Sequence, residues 1–229
     1  MRLLVAGLMD LVLPATCAGC DGPSARALCQ RCSVALAGVV PRRTSPDPAP
    51  AGLPATFALA AYAGSVRRAI VQYKEKNRHE VTGVLGSLLG RVLERAVPPA
   101  VPVVLVPVPS TAAAVRRRHG DHMLRLARTV ARGRPGTEVA LPLRALPRPD
   151  DSAELTAAQR AAAARRAFAL RPRAAAAMRT RVACSGAAVV LVDDIVTTGV
   201  TLAAATYRLG EAGITVDRAV AIAATQRRR

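Results

Sequence analysis

Tryptophan is absent from this 229-residue chain, aromatic residues make up 2% of it, and Lys74 and Lys76 are the only lysines among its 33 basic residues. So few rings exclude the stacking platforms on which many single-strand binders hold bases, since Phe57, Tyr62, Tyr73, Phe168 and Tyr207 are scattered singly. They also require a core packed mainly from Ala, Val and Leu. No run reaches the roughly eighteen apolar residues needed to span a bilayer. The apolar start MRLLVAGLMDLVLP is interrupted by Asp10 and lacks a convincing small-x-small cleavage pattern. Leu4, Leu8, Leu11 and Val12 share one helical face there, so a short amphipathic helix packed on the protein is expected. The expectation is a cytoplasmic protein without a membrane span. Acidic residues are also few, 15 against 33 basic ones, and the formal net charge of +18 draws the chain to polyanions without specifying one.

Hydrophobic residues account for 51% and charged ones for 21%, the balance of a chain that buries a core. The length suits one α/β domain with a small appendage. Three parts are expected: a helix and cysteine module over 1–40, a Pro-rich linker over 41–54 (PRRTSPDPAPAGLP) without regular structure, and an α/β domain over 55–229. Within the domain, strands are expected over Thr56–Ala63, Val101–Val108, Val139–Leu146, Val189–Val192 and Ile214–Ala224. Helices are expected over Gly64–Lys76, His79–Ala96, Ala112–Arg132, Asp150–Phe168 and Val200–Ala212. The run Ala174–Ala177 reads as loop or helix end. Such alternation implies a mostly parallel sheet with helices on both faces.

The most informative segment is Val189–Thr201, VVLVDDIVTTGVT. A buried strand ends in Asp193 and Asp194, where open α/β sheets bind their ligands. A turn follows whose backbone N–H groups and the hydroxyls of Thr197, Thr198 and Thr201 surround an anion, with Gly199 allowing close approach and Val200 opening a helix whose N-terminus favours negative charge. Carboxylates beside a phosphate cradle fit a phosphorylated sugar, whose vicinal hydroxyls donate to the acids.

This segment resembles the phosphoribosyl-diphosphate (PRPP) signature of type I phosphoribosyltransferases. The strings YAGSVRRAIVQYKEK, LVPVPS, RRRHGDHMLRLAR and DDSAELTAAQR, in this order after four cysteines, extend the similarity to the ComF competence-protein family over nearly the whole chain. The resemblance implies a type I phosphoribosyltransferase-like fold with an N-terminal zinc module. It implies that Asp193 and Asp194 meet the ribose hydroxyls, with Mg²⁺ bridging sugar and pyrophosphate, and that Thr197 to Thr201 hold the 5′-phosphate. Val108, Pro109 and Ser110 would form the pyrophosphate turn, with Lys74 and Arg118 as charge partners. Where the family usually shows an RGFN-like string, this chain has Arg118, His119, Gly120 and Asp121. His119 and His122 are expected at the surface. Hypoxanthine-type transferases place a carboxylate base three residues after the second acid, and Thr197 stands there, so that reaction is not expected. Three functions remain open: PRPP binding tied to DNA uptake, natural transformation or single-strand recombination; nucleobase salvage by an active transferase; and a non-catalytic adaptor for single-stranded DNA or a DNA-processing partner such as a helicase.

Cys17, Cys20, Cys29 and Cys32 form two CxxC knuckles separated by eight residues. In a reducing compartment such a pair suits one tetrahedral, closed, structural Zn²⁺ better than two disulfides. Cys184 lies apart and is expected to be a buried or edge thiol without a role.

Overall fold

The runs Val103–Val106 and Val189–Val192 are apolar at every position, which a strand tolerates only when both its faces are covered. In the computed structural model, which describes residues 16–147 and 166–225, both runs lie at the centre of a six-stranded sheet. Its strands are β1 (Arg42–Thr44), β2 (Ala55–Ala61), β3 (Val103–Pro107), β4 (Thr137–Val139), β7 (Ala188–Val196) and β8 (Arg218–Ala224), in spatial order β1-β2-β8-β7-β3-β4. Only the β1–β2 pairing is antiparallel. A separate two-stranded antiparallel sheet joins β5 (Leu143–Ala145) to β6 (Phe168–Leu170).

Alternating side chains send each central strand into two cores. On one face Val103, Leu105, Val190, Val192 and Ile222 pack against α2 (Gly64–Glu75), α3 (Thr82–Ala96) and α5 (His122–Gly133) through Ile70, Leu89, Leu93 and Leu126. On the other, Val104, Val106, Leu191 and Ala221 meet Met178 of α6 (Pro172–Ser185) and Leu202 and Leu209 of α7 (Val200–Gly210). α5, on the path from β3 to β4, therefore covers one face and α7, between β7 and β8, the other. Since β3 and β7 are neighbours, their carboxyl ends form a topological switch point, where the departing loops open a crevice.

The cysteine module, which includes α1 (Gln30–Ala37), is continuous with the first core through Cys17, Leu28, Cys32 and Leu36. Three arginines fasten it by donating to its backbone carbonyls: Arg68 to Gly19 at 2.5 Å, Arg78 to Thr16 at 2.7 Å and Arg91 to Val39 at 2.7 Å. No helix among the described residues is long and apolar enough to cross a membrane.

Several local expectations change. The Pro-rich segment expected to lack regular structure contributes β1, because Pro41 to Pro46 leaves a proline-free window that pairs with Thr56 to Ala58 at the sheet edge. The expected helix Ala112–Arg132 is two helices, α4 (Ala112–Arg117) and α5, separated by His119 (φ 50°) and Gly120 (φ 133°). Asp121 restarts the helix by accepting the N–H groups of Met123 and Leu124 at 3.0 and 3.1 Å. The expected strand Val139–Leu146 divides into β4 and β5, with Pro142 between them. Ala174–Ala177 lies inside α6, where proline at the first helical turn and a left-handed Gly186 after the last mark both ends. Phe168 begins β6 rather than ending a helix. The remainder of that expected helix, the N-terminal amphipathic helix and the Arg227–Arg229 tail lie outside the described residues.

Candidate functional site

At the switch point lies a cleft of about 260 Å³. β7 does not stop at its acids, as expected, but runs on to Val196, with Asp193 in register with Ala221 and Ile195 with Ala223 of β8. Lys74, Val108, Pro109, Ser110, Arg118, Asp193, Asp194, Thr197 and Thr201, from separate parts of the chain, line the cleft together. Thr198, Gly199 and Val200 belong to the same turn without lining it. Gly199 is left-handed (φ 72°) and caps α7, and a Cβ there would meet Leu53 and Pro46 at 3.1 Å, so the Pro-rich segment backs the turn. The β3 turn is tied to β7 by the Val108 N–H donating to the Val192 carbonyl at 2.9 Å.

Asp194 is buried, and its Oδ2 takes two contacts: Lys74 Nζ at 2.8 Å and His122 Nε2 at 3.0 Å. Burial works to raise its pKa, but the His122 hydrogen bond and the Lys74 charge outweigh it and hold the carboxyl below its ordinary value. Asp193 is shifted the other way, first by burial and then by the Asp194 charge, although its Oδ1 accepts the Asp194 backbone N–H at 2.8 Å. The adjacent acids are therefore unequal: one is committed to the anion and the other resists it.

His122 is the residue that sequence reasoning misplaced. It was expected at the surface and is buried, in contact with Asp194 on one ring nitrogen and with Ser110 Oγ at 3.4 Å on the other. Its inward position follows from the break at His119–Gly120 and from the Tyr73 hydroxyl, which donates to the His122 carbonyl at 2.9 Å. The HGD string was the available signal, since a glycine followed by a capping Asp restarts a helix in a new direction. His119 is exposed, as expected. Arg118 lines the cleft and donates to Glu75 at 3.2 Å, while its Nε is buried without a hydrogen-bond partner.

Mg²⁺ takes near-octahedral oxygen donors at about 2.0–2.1 Å; Ser110, Asp193, Asp194, Thr197 and Thr201 bring side-chain oxygens to the cleft lining, of which Asp194 Oδ2 already lies 2.8 Å from Lys74 Nζ and 3.0 Å from His122 Nε2.

The second site is the cysteine cluster. One sulfur from each of Cys17, Cys20, Cys29 and Cys32 lies within 4.8 Å of the others, a group able to hold a metal ion. The Cys20 and Cys29 sulfurs are 3.8 Å apart, and thiolates at about 2.3 Å from a tetrahedral ion stand roughly that far from one another. Backbone N–H groups of Gly19 and Cys29 donate to Cys17 Sγ at 3.3 and 3.2 Å. Burial pushes the Cys17 thiol up, yet these donors prevail and lower it, whereas burial and the neighbouring sulfurs push Cys32 up. Four sulfurs this close do not all ionise without a cation among them, and a bound metal removes that conflict. Cys184, expected to be buried or at an edge, is exposed on α6.

No protein-family model and no curated protein matches this chain.

Proposed function

We propose that this chain binds PRPP, or a closely related ribose phosphate, as a phosphoribosyltransferase-like protein of the ComF kind. The observation that carries the reading is the convergence, at the switch point of a parallel sheet, of the Asp193–Asp194 pair, the Thr197–Thr201 turn, the Val108–Ser110 turn and the cations Lys74 and Arg118. Vicinal hydroxyls suit the acids, the turn with its helix N-terminus suits a 5′-phosphate, and the Arg118 guanidinium beside the cleft suits further phosphate charge. Thr197 lines the cleft with a hydroxyl that cannot serve as a proton acceptor for a purine, so the reading is one of ligand binding before turnover. Calorimetry with PRPP and Mg²⁺ on the wild type and on the Asp193→Asn/Asp194→Asn double variant tests it. Binding heat is expected from the wild type alone, and equal heats from both proteins refute it.

The cysteine cluster is proposed to hold one structural Zn²⁺ through Cys17, Cys20, Cys29 and Cys32. Four thiolates complete a tetrahedron and leave no position for substrate. The ComF resemblance extends the reading to DNA uptake or recombination of single strands, and the exposed Arg116 and Arg117, next in the chain to Arg118, are suited to phosphate contacts. A gel shift with single-stranded DNA across a salt series checks direct contact. Binding that weakens steeply with salt supports it, and no shift, or one indifferent to salt, rules it out.

A further inference from the structure

We infer that the four-cysteine module governs the ligand affinity of the cleft through α2, with Arg68 and Gln72 as the positioning residues that pass its metal occupancy on to Lys74. The inference rests on the ribose phosphate and zinc readings above and adds a coupling between them.

α2 is held from three sides. Its core face, Val66, Ala69, Ile70 and Tyr73, is buried. Arg68 and Gln72, one turn apart, reach the module instead. Arg68 Nε donates to the Gly19 carbonyl at 2.5 Å and Gln72 Nε2 to Asp21 Oδ1 at 3.2 Å. Just past the helix, Arg78 donates to the Thr16 carbonyl at 2.7 Å. Thr16, Gly19 and Asp21 all adjoin the first CxxC knuckle. The end of α2 belongs to the cleft: Lys74 Nζ lies 2.8 Å from Asp194 Oδ2, and Glu75 accepts from Arg118 at 3.2 Å. Gln72, Tyr73 and Lys74 thus touch the module, the core and the cleft from three consecutive positions.

The acceptors that receive Arg68 and Gln72 are set by the sulfurs. The Gly19 N–H donates to Cys17 Sγ at 3.3 Å, and a Cβ on Gly19 would stand 3.0 Å from Cys32 Sγ, so this residue is packed between two of the four candidate ligands. The Asp21 N–H donates to the Cys17 carbonyl at 2.9 Å and closes the knuckle. In so short a module, metal binding supplies much of the order. With the ion bound, the Gly19 and Asp21 acceptors are fixed; without it, four sulfurs compete for room and protons, and the acceptors lose that restraint. α2 keeps its buried face in both states, so what changes is the placing of Lys74 and not the fold. Two sites that bias one element are linked reciprocally: the factor that the metal adds to ligand affinity, the ligand adds to metal affinity.

Arg91 of α3 provides a control. It holds the same module, donating to the Leu36 and Val39 carbonyls at 3.0 and 2.7 Å, but no residue of α3 lines the cleft. Loss of Arg91 loosens the module without acting through α2.

The first measurement is calorimetric titration with PRPP and Mg²⁺ of the full-length wild type, Arg68→Met/Gln72→Ala and Arg91→Met, with the zinc content of each determined by elemental analysis. The zinc-loaded double variant is expected to bind at least about fivefold more weakly than the wild type, and Arg91→Met within about twofold of it. The second is competition for zinc with a chromogenic chelator, in Mg²⁺ with and without PRPP. Asp193→Asn/Asp194→Asn, which lacks the ligand site, reports the zinc that PRPP itself withdraws. Relative to that variant, PRPP is expected to tighten zinc retention by the wild type at least about fivefold. A folded, zinc-loaded Arg68→Met/Gln72→Ala that binds as the wild type does overturns the inference. So does an equal loss in Arg91→Met, or equal zinc retention by the wild type and the Asp193→Asn/Asp194→Asn variant in PRPP. Each of these leaves the ribose phosphate reading standing, as does a wild type that binds PRPP but carries no zinc, which also overturns the inference. Absence of PRPP binding by the wild type overturns both. If Arg68→Met/Gln72→Ala fails to fold or to load zinc, the zinc competition decides by itself.

Discussion

Replacing Asp193 by Asn is expected to stabilise the protein, whereas the same substitution at the adjacent Asp194 weakens it. Asp193 Oδ1 accepts the Asp194 backbone N–H at 2.8 Å, a bond that Asn retains through its own amide oxygen. What the substitution removes is a charge placed in a half-buried position beside a second carboxylate. Burial first, and the Asp194 charge second, raise the Asp193 pKa in the folded protein above its unfolded value. The associated stability is fully present below the unfolded value, near about pH 4, and is lost as pH rises through the folded one. Each pH unit of such a rise corresponds to about 1.4 kcal/mol. Asp193 keeps some contact with solvent, so a single such increment is a suitable discounted expectation. For a chain of this size about 1.4 kcal/mol raises Tm by roughly 3–6 °C.

Asp194 has the opposite sign. Its pKa is lowered in the fold, chiefly by the His122 hydrogen bond and the Lys74 charge acting against burial, so its contribution is present above the unfolded value and lost as pH falls through the folded one. Asp194→Asn leaves Lys74 and His122 without their anion, a loss of about 1–3 kcal/mol. Thermal melts of the wild type and both single variants in chelator-free buffer, from about pH 4 to about pH 8, give the comparison. The Asp193→Asn gain is expected to be largest at the upper end and to vanish at the lower. Asp193→Asn that folds yet melts below the wild type near neutral pH refutes the reasoning. Retention of a destabilising acid is what a binding site does when the acid serves a ligand rather than the fold.

Two further outcomes are expected. Gly86→Ala should cost about 1–3 kcal/mol in urea unfolding, because the added Cβ would stand 2.4 Å from Thr129 Cγ2 where α3 crosses α5; an unchanged midpoint contradicts that crossing. The purified chain should carry about one equivalent of zinc by elemental analysis. Cys32→Ser should lower both zinc content and melting temperature, and a well-folded chain without metal would remove the structural role.

Much of the architecture was legible because it rests on local rules. The wholly apolar runs Val103–Val106 and Val189–Val192 require burial on both faces, which implies a parallel sheet between helix layers. The two CxxC knuckles required only spacing to bring four sulfurs together. Less legible were the breaks. An apolar and basic periodicity running from Ala112 to Arg132 conceals two helices, because a positive φ at His119 and Gly120 costs the pattern nothing while turning the chain. The strand character of Arg42–Thr44 was likewise hidden, since a three-residue edge strand owes its existence to the neighbour it pairs with.

The chain’s own pattern was sufficient to nominate Asp193, Asp194 and the Thr197–Thr201 turn, because strand, acids and anion-binding turn are contiguous and interact through the backbone they share. It could not show that the two acids differ. That difference is set by Lys74 and His122, which lie more than seventy residues before Asp194. A carboxylate’s charge state depends on burial and on charges a few ångströms away in space, and only the packing of α2 and α5 against β7 brings those groups to one oxygen.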